Sequence, residues 1–202
     1  LPLALHEEDP RLVQGGAMHE GPVAARLGIT GIPSESESVM VGRDVALARL
    51  EGGRIHVCHV STVESVDEVR RGKQQGVAVT AEVSPHHLLL VDEDVSGMDA
   101  ATRKMNPPLR GTDDRDALLE ALIDGTLDCI ATDHAPHALD DKQHDFQVAA
   151  FGMLGLETAL SVVTEVMVRP GLMSWADVAQ AMSVRPARIA GLGQHGRPLA
   201  AG

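Results

Sequence analysis

The sequence predicts an α/β fold: a parallel sheet with helices between its strands, amounting to about half of an eight-stranded barrel. Three observations lead there. Four short apolar runs, at 1–5, 54–60, 77–83 and 127–132, are separated by segments of helical pattern. The runs are continuous rather than alternating, which suits a parallel sheet buried on both faces. Each run also ends in residues that ligate or titrate, and α/β barrels and open α/β sheets alike keep their sites at the carboxyl ends of strands. No Gly-x-Gly-x-x-Gly follows any run, which counts against a dinucleotide fold.

The first run, Leu1 to Leu5, closes on His6-Glu7-Glu8-Asp9-Pro10. The chain begins on Leu, directly in an apolar run, so an upstream part is expected to be missing. Ser36 to Leu50 carries Val39, Val41, Val45, Leu47 and Leu50 among Arg and Asp and reads as a helix. Arg54 to Val60 holds His56, Cys58 and His59 and stops at Ser61-Thr62. Ser61 followed by Glu64 has the capping-box form and starts a helix over Thr62 to Gln75, with Gly76 as its stop.

Val77 to Val83 is the third strand and ends in Ser84-Pro85-His86-His87. Asp113 to Ile123 places Ala117, Leu118, Ala121 and Leu122 on one helical face before Gly125. Leu127 to Thr132 is the fourth strand, and Asp133 follows it. Helical runs over Leu156–Val168 and Ser174–Met182 complete the pattern. The segments Asp92–Arg103 and His137–Phe151 are polar and irregular, and each reads as a loop over the site.

A formal net charge of −12 argues against a nucleic-acid surface. With 202 residues and 44% hydrophobic content, the whole chain reads as one domain or a large piece of one. No apolar run reaches the roughly 18 residues of a membrane span. Cys58 and Cys129 read as buried free thiols, which fits a reducing, cytoplasmic compartment. One Trp, two Phe and no Tyr weaken any base-stacking or carbohydrate platform.

His6 or His59 alone could simply cap a turn. Together they occupy equivalent places in successive βα units, with Asp133 in a later one. Two imidazoles and a carboxylate converging from strand ends make a nitrogen/oxygen set suited to zinc or a similar divalent ion. Such an ion acidifies water toward about pH 7, and a nearby carboxylate takes and returns the proton. His86 and His87 are adjacent, so on an extended chain they point to opposite sides and at most one faces a site. Glu82 would be costly within a strand unless partnered. His56 reads as structural, and His19, His144 and His195 as surface residues. The stiff loop from Lys104 to Arg110 either presents Asn106 to a ligand or leads into the next helix.

Five segments stand out together: His56-Val57-Cys58-His59-Val60-Ser61-Thr62, Thr80-Ala81-Glu82-Val83-Ser84-Pro85-His86-His87-Leu88, Asn106-Pro107-Pro108-Leu109-Arg110, Ala131-Thr132-Asp133-His134-Ala135-Pro136-His137 and Phe151-Gly152-Met153-Leu154-Gly155-Leu156-Glu157-Thr158. In this order they resemble dihydroorotase of the bacterial barrel type, in the amidohydrolase superfamily. The resemblance implies reversible closure of N-carbamoyl-L-aspartate to dihydroorotate in pyrimidine synthesis, with two zinc ions in a complete site. It assigns His6 and His59 to one zinc, and Asp133 to the other and to general acid–base work. It places Asn106, His137, Phe151 and Gly152 at the substrate. In some members a glutamate like Glu82 and a thiol like Cys58 touch an extra metal.

The family's His-x-His with its nearby Arg, its bridging carboxylate or carboxylated lysine, and its small sandwich domain do not occur here. Residues 1–202 are therefore expected to form a single partial barrel domain, strands five to eight, that alone binds metal poorly and is inactive. The implied partner is the small-molecule substrate, with no nucleic acid and no membrane, and with a homodimer or a complex with aspartate transcarbamoylase as further expectations. The alternatives are a catalytically silent assembly partner of that enzyme, or a related allantoinase or hydantoinase.

Overall fold

The computed structural model of the chain describes residues 2–97 and 100–198, so Leu1 of the first predicted run lies outside it. In chain order the elements are β1 (Leu3–Leu5), α1 (Pro10–Val13), β2 (Met18–His19), α2 (Pro22–Leu27), β3 (Gly31–Ile32) and α3 (Glu35–Glu51). They continue with β4 (Arg54–Val57), α4 (Val63–Gln74), β5 (Ala78–Val83), α5 (Pro85–Leu89), α6 (Thr112–Asp124) and β6 (Cys129–Ile130). The last are α7 (Leu139–Lys142), α8 (Ala159–Val163), α9 (Trp175–Ala179) and α10 (Arg185–Ile189), with π-helical turns after α8 and α9.

Four strands form one parallel sheet in the order β1-β4-β5-β6. The register sets Leu5 opposite Val57, Val57 opposite Ala81, and Val83 opposite Ile130. Successive strands are neighbours and a helix intervenes each time, as a half-barrel of βα units requires. β6 is shorter than the predicted strand over 127–132, because the ladder ends at Ile130 and the chain turns into the site loop.

Val41 and Val45 of α3, Val66 and Val69 of α4, and Leu118 and Leu122 of α6 pack on Ile55, Val57, Val79, Ala81, Val83 and Ile130 in one buried cluster. Each such side chain contributes on the order of 1.5–3 kcal/mol by leaving water. Gly72 lets α4 come close, since a Cβ there would lie 2.8 Å from Val45 Cγ1 and 3.2 Å from Val79 Cγ1.

The sheet is covered by these helices on one face only. On the other face β4 presents His56 and β5 presents Thr80 and Glu82, and His56 and Glu82 line a cavity of about 370 Å³ with Ala4, Cys129 and Ile189. The expectation of strands buried on both faces holds for β4, where Ile55, His56 and Val57 are all buried, and for β6. In β5, Thr80 and Glu82 on the inner face of the half-barrel are half-buried beside the buried Val79, Ala81 and Val83.

Three local readings also change. Thr62, not Ser61, caps α4 by accepting from the Ser65 N–H at 3.1 Å, and Ser61 turns inward to bond Glu37 instead. His86 and His87 lie in the helical turn α5 rather than on extended chain, and both are buried. His19 is half-buried rather than a surface residue: it lies on the small sheet β2–β3, with Nδ1 3.3 Å from Arg110 Nη1. Burial, then the Arg110 charge, lowers its pKa to about 4. Arg110 itself is buried and donates to the Ile32 carbonyl at 2.8 Å and to Ser61 Oγ at 3.1 Å, tying the small sheet to the end of β4.

Candidate functional site

The carboxyl ends of β1 and β4 bring His6 and His59 together. His6 Nδ1 lies 3.0 Å from His59 Nε2, with the rings edge to face at 4.7 Å between centroids. Burial, then the facing His6, holds the His59 imidazole below its ordinary pKa, so its neutral, ligating form is favoured. Asn106 closes the same corner, donating from Nδ2 to Glu8 Oε2 at 2.8 Å and lying 3.5 Å from His6 Nε2.

Asp133 stands past the end of β6, half-buried, and its carboxylate acts through space on His59 and on Cys58. The three expected ligands do not form a closed set: among the described residues, the group with all its ligand atoms within 4.8 Å of one another is His56, Cys58 and Glu82. His59 and Asp133 share a second property. Both have positive φ, 36° and 44°, in the left-handed region that costs a non-glycine residue roughly 1–2 kcal/mol. Both lie just beyond their strands, β4 and β6, where the chain leaves the sheet.

The His56, Cys58 and Glu82 group sits on the sheet face away from α3, α4 and α6. His56 Nε2 meets Glu82 Oε2 at 3.0 Å and His56 Nδ1 meets Thr80 Oγ1 at 2.8 Å, so Glu82 has the partner its place in a strand demands. Cys58 is half-buried rather than buried, just beyond β4, and burial with the Glu82 charge pushes its thiol up to about 11. Cys129 is buried and pushed up to about 12 by burial and the same glutamate. The sequence held a signal for this group, because His56 and Cys58, like Thr80 and Glu82, are two residues apart and share a strand face. The family resemblance points to Glu82 and Cys58 as a pair, and it is His56, read as structural, that the structure adds to them.

His86 packs beside His87, 4.6 Å between ring centroids, and feels the charge of His59. It is buried, its Nε2 has no hydrogen-bond partner, and burial with the nearby His59 lowers its pKa to about 4. His87 is bonded on both nitrogens, to Ser84 Oγ at 2.6 Å and the Pro107 carbonyl at 3.1 Å, and is a packing residue. Glu7 is buried with Oε1 unpartnered, and burial, then Asp44, raises its pKa to about 7.

The remaining candidates gather further out. His137 Nε2 donates to the Phe151 carbonyl at 2.7 Å. Gly152 has φ 137°, and a Cβ there would lie 2.8 Å from both His137 Nε2 and Ala135 Cβ, so only glycine fits. His137 and Gly152 line a second cavity of about 370 Å³ with Thr102, Ala135, Lys142 and Met153, a volume in the small-ligand range. Asn106, at the imidazole pair, is not among its lining residues.

Comparison with known proteins bears out the resemblance and the fold. Residues 2–65 match the family model described as dihydro-orotase-like. The chain is 56% identical over 200 residues to the dihydroorotase of Mycobacterium leprae and 53% identical to that of Streptomyces coelicolor, covering 99% of itself and 46% of each relative. It thus spans about half the length of the curated relatives it matches. Among solved structures, the dihydropyrimidinase of Brevibacillus agri superposes with a TM-score of 0.84 at 24% identity, over 98% of this chain and 45% of that one. The L-hydantoinase of Arthrobacter aurescens gives 0.82 at 26% identity, over 96% and 44%. The fold is accordingly half of an amidohydrolase-type α/β barrel. No helix among the described residues is long and apolar enough to cross a membrane.

Proposed function

We propose that this chain supplies the carboxyl-side half of the site of a zinc-dependent cyclic amidohydrolase acting on dihydroorotate and N-carbamoyl-L-aspartate in cytoplasmic pyrimidine synthesis. The observation that carries the reading is the contact of His6 Nδ1 with His59 Nε2 at 3.0 Å, at neighbouring strand ends and within the field of Asp133. Neutral imidazoles beside a carboxylate are the donor chemistry zinc takes, so the residues present fit the ion. His6 and His59 would hold one ion, and Asp133 would contact the other.

Bound zinc supplies Lewis-acid polarisation of a carbonyl and acidifies water. Asp133 accepts a proton from the attacking water and returns it to the ring nitrogen as the C–N bond breaks; closure runs the same transfers in reverse. His137, already a donor to the Phe151 carbonyl, and Asn106 orient the ring. The backbone at Phe151–Gly152 approaches it closely because Gly152 carries no side chain.

Residues 1–202 alone are expected to bind zinc weakly and to turn over no dihydroorotate, and full activity from them would overturn the half-site reading. In the native polypeptide containing these residues, Asp133→Asn is expected to lower kcat by about 10²–10⁴ with zinc retained. Unchanged turnover in that variant would remove Asp133 from the chemistry. The hydantoinase-type neighbours give a second reading, another ring as substrate. Comparing turnover of dihydroorotate, hydantoin and allantoin separates the two.

A further inference from the structure

Away from the imidazole pair, the segment between α7 and Met153 is tied together by one cation. Lys142 ends α7, and its Nζ donates to the carbonyls of Ala150 at 2.7 Å, Gly152 at 2.9 Å and Lys104 at 3.3 Å. The Gly152 N–H donates to the same Lys104 carbonyl at 2.9 Å, and the Ala150 N–H donates to the Asp141 carbonyl at 3.0 Å. Lys104 supports the arrangement from its own side chain, with Nζ 4.2 Å above the Phe151 ring and bonded to the Gln147 carbonyl at 3.1 Å. Three separate stretches of chain therefore meet at the Lys142 ammonium.

What this cation does follows from its valence. A lysine ammonium has three N–H donors, and here three carbonyls take them. It has no donor left for a substrate carboxylate, although it lines the cavity beside His137 and Gly152. Its charge is spent on backbone whose Phe151 carbonyl also receives the His137 donor. A cavity wall built from irregular chain needs such a fixture, since small displacements of a substrate-facing surface are costly.

We propose that Lys142 is a positioning residue: its ammonium clamps the backbone from Ala150 to Gly152 into the wall that, together with the His137 bonded to it, the substrate ring meets. The inference rests on the substrate side of the site proposed above. It is tested in the native, zinc-loaded polypeptide containing these residues, with Lys142→Met and Lys142→Arg. Hydrogen bonds to a charged group are stronger than neutral ones, so losing them is expected to speed exchange of the Gly152 amide at least about tenfold. The amides of Val57 and Ala81 in the sheet are expected to keep their rates. KM for dihydroorotate is expected to rise about tenfold with kcat within about threefold, zinc content unchanged, and Lys142→Arg to recover part of the loss.

An unchanged Gly152 exchange rate overturns the proposal, and so does faster exchange with KM unmoved. If Lys142→Met also loosens Val57, the comparison passes to Lys142→Gln, which keeps a donor, under the same two criteria. Should the unsubstituted polypeptide turn over none of the three rings, the assignment of function fails; the exchange measurement still decides whether Lys142 clamps the wall.

Discussion

The two faces of the four-stranded sheet are built from the same strands and do opposite things. Toward α3, α4 and α6, the residues Ile55, Val57, Val79, Ala81, Val83 and Ile130 are buried and purely apolar. Toward the other side, Ala4, His56, Glu82 and Cys129 line a cavity, His56 and Cys129 themselves buried, and Glu82 is held there by His56 at 3.0 Å. One residue of register separates the two sets, because strand side chains alternate. The comparison teaches that the helix-packed face is purely apolar while the inner face of the half-barrel brings an imidazole, a carboxylate and two thiols together.

The largest contrast is expected from introducing a charge. Val57→Asp buries a carboxylate among the helices at a cost of several kcal/mol, enough to unfold a domain of ordinary stability. Ala4→Asp, in register with His56 on the opposite face, is expected to cost less than about 1 kcal/mol. Circular dichroism with urea titration reads both, and equal losses would mean that the faces are not distinct.

A smaller loss, about 2–5 kcal/mol, is expected from Leu118→Ala, which leaves a cavity under α6. The same titration checks it, and a loss below 1 kcal/mol would show that α6 is not what seals that face.

Acid is expected to act through His86, packed behind the strand ends. Its folded-state pKa of about 4 lies below the ordinary 6.5, so between these values the unfolded chain holds more protons. Stability is therefore full above pH 6.5, falls as pH drops toward 4, and levels off below, by on the order of 3 kcal/mol for His86. His19, shifted in the same direction, adds to the loss. Glu7, raised to about 7, works in the opposite sense over the same range. The slope is therefore read as the difference in urea midpoint between the unsubstituted chain and His86→Asn from pH 7.5 to pH 4. A difference that does not change with pH would show that His86 is not kept neutral by the fold.

The smallest effect is expected on the inner face itself. Glu82→Gln keeps a hydrogen-bonding atom beside His56, and the change in stability is expected to stay under about 1 kcal/mol. A larger loss, read as a Tm shift, would move that pair from chemistry to structure.

Much of this was legible from residue patterns. Gly76 and Gly125 mark the ends of their helices with positive φ, and the three longer helices follow their apolar spacing. The four strands were found, but their continuity hid the alternation: over runs this short, a polar residue such as Thr80 does not break an apolar reading. The Ser61 cap slipped by one residue because Glu37, 24 positions upstream, competes for its hydroxyl and N–H, a tertiary contact no local rule contains. The strands β2 and β3 are two residues each and carry no periodicity at all. Lys142 was invisible for a related reason, since its partners are carbonyls, and every residue type has one.

The left-handed backbone at His59 and Asp133 has a consequence for redesign. Saturation libraries at these two positions should be populated chiefly by Gly, Asn, Asp and His, whatever function is selected, because β-branched residues resist that conformation. A new catalytic repertoire grafted onto these loop stems would thus inherit a narrow alphabet set by dihedral angles before any chemistry is chosen.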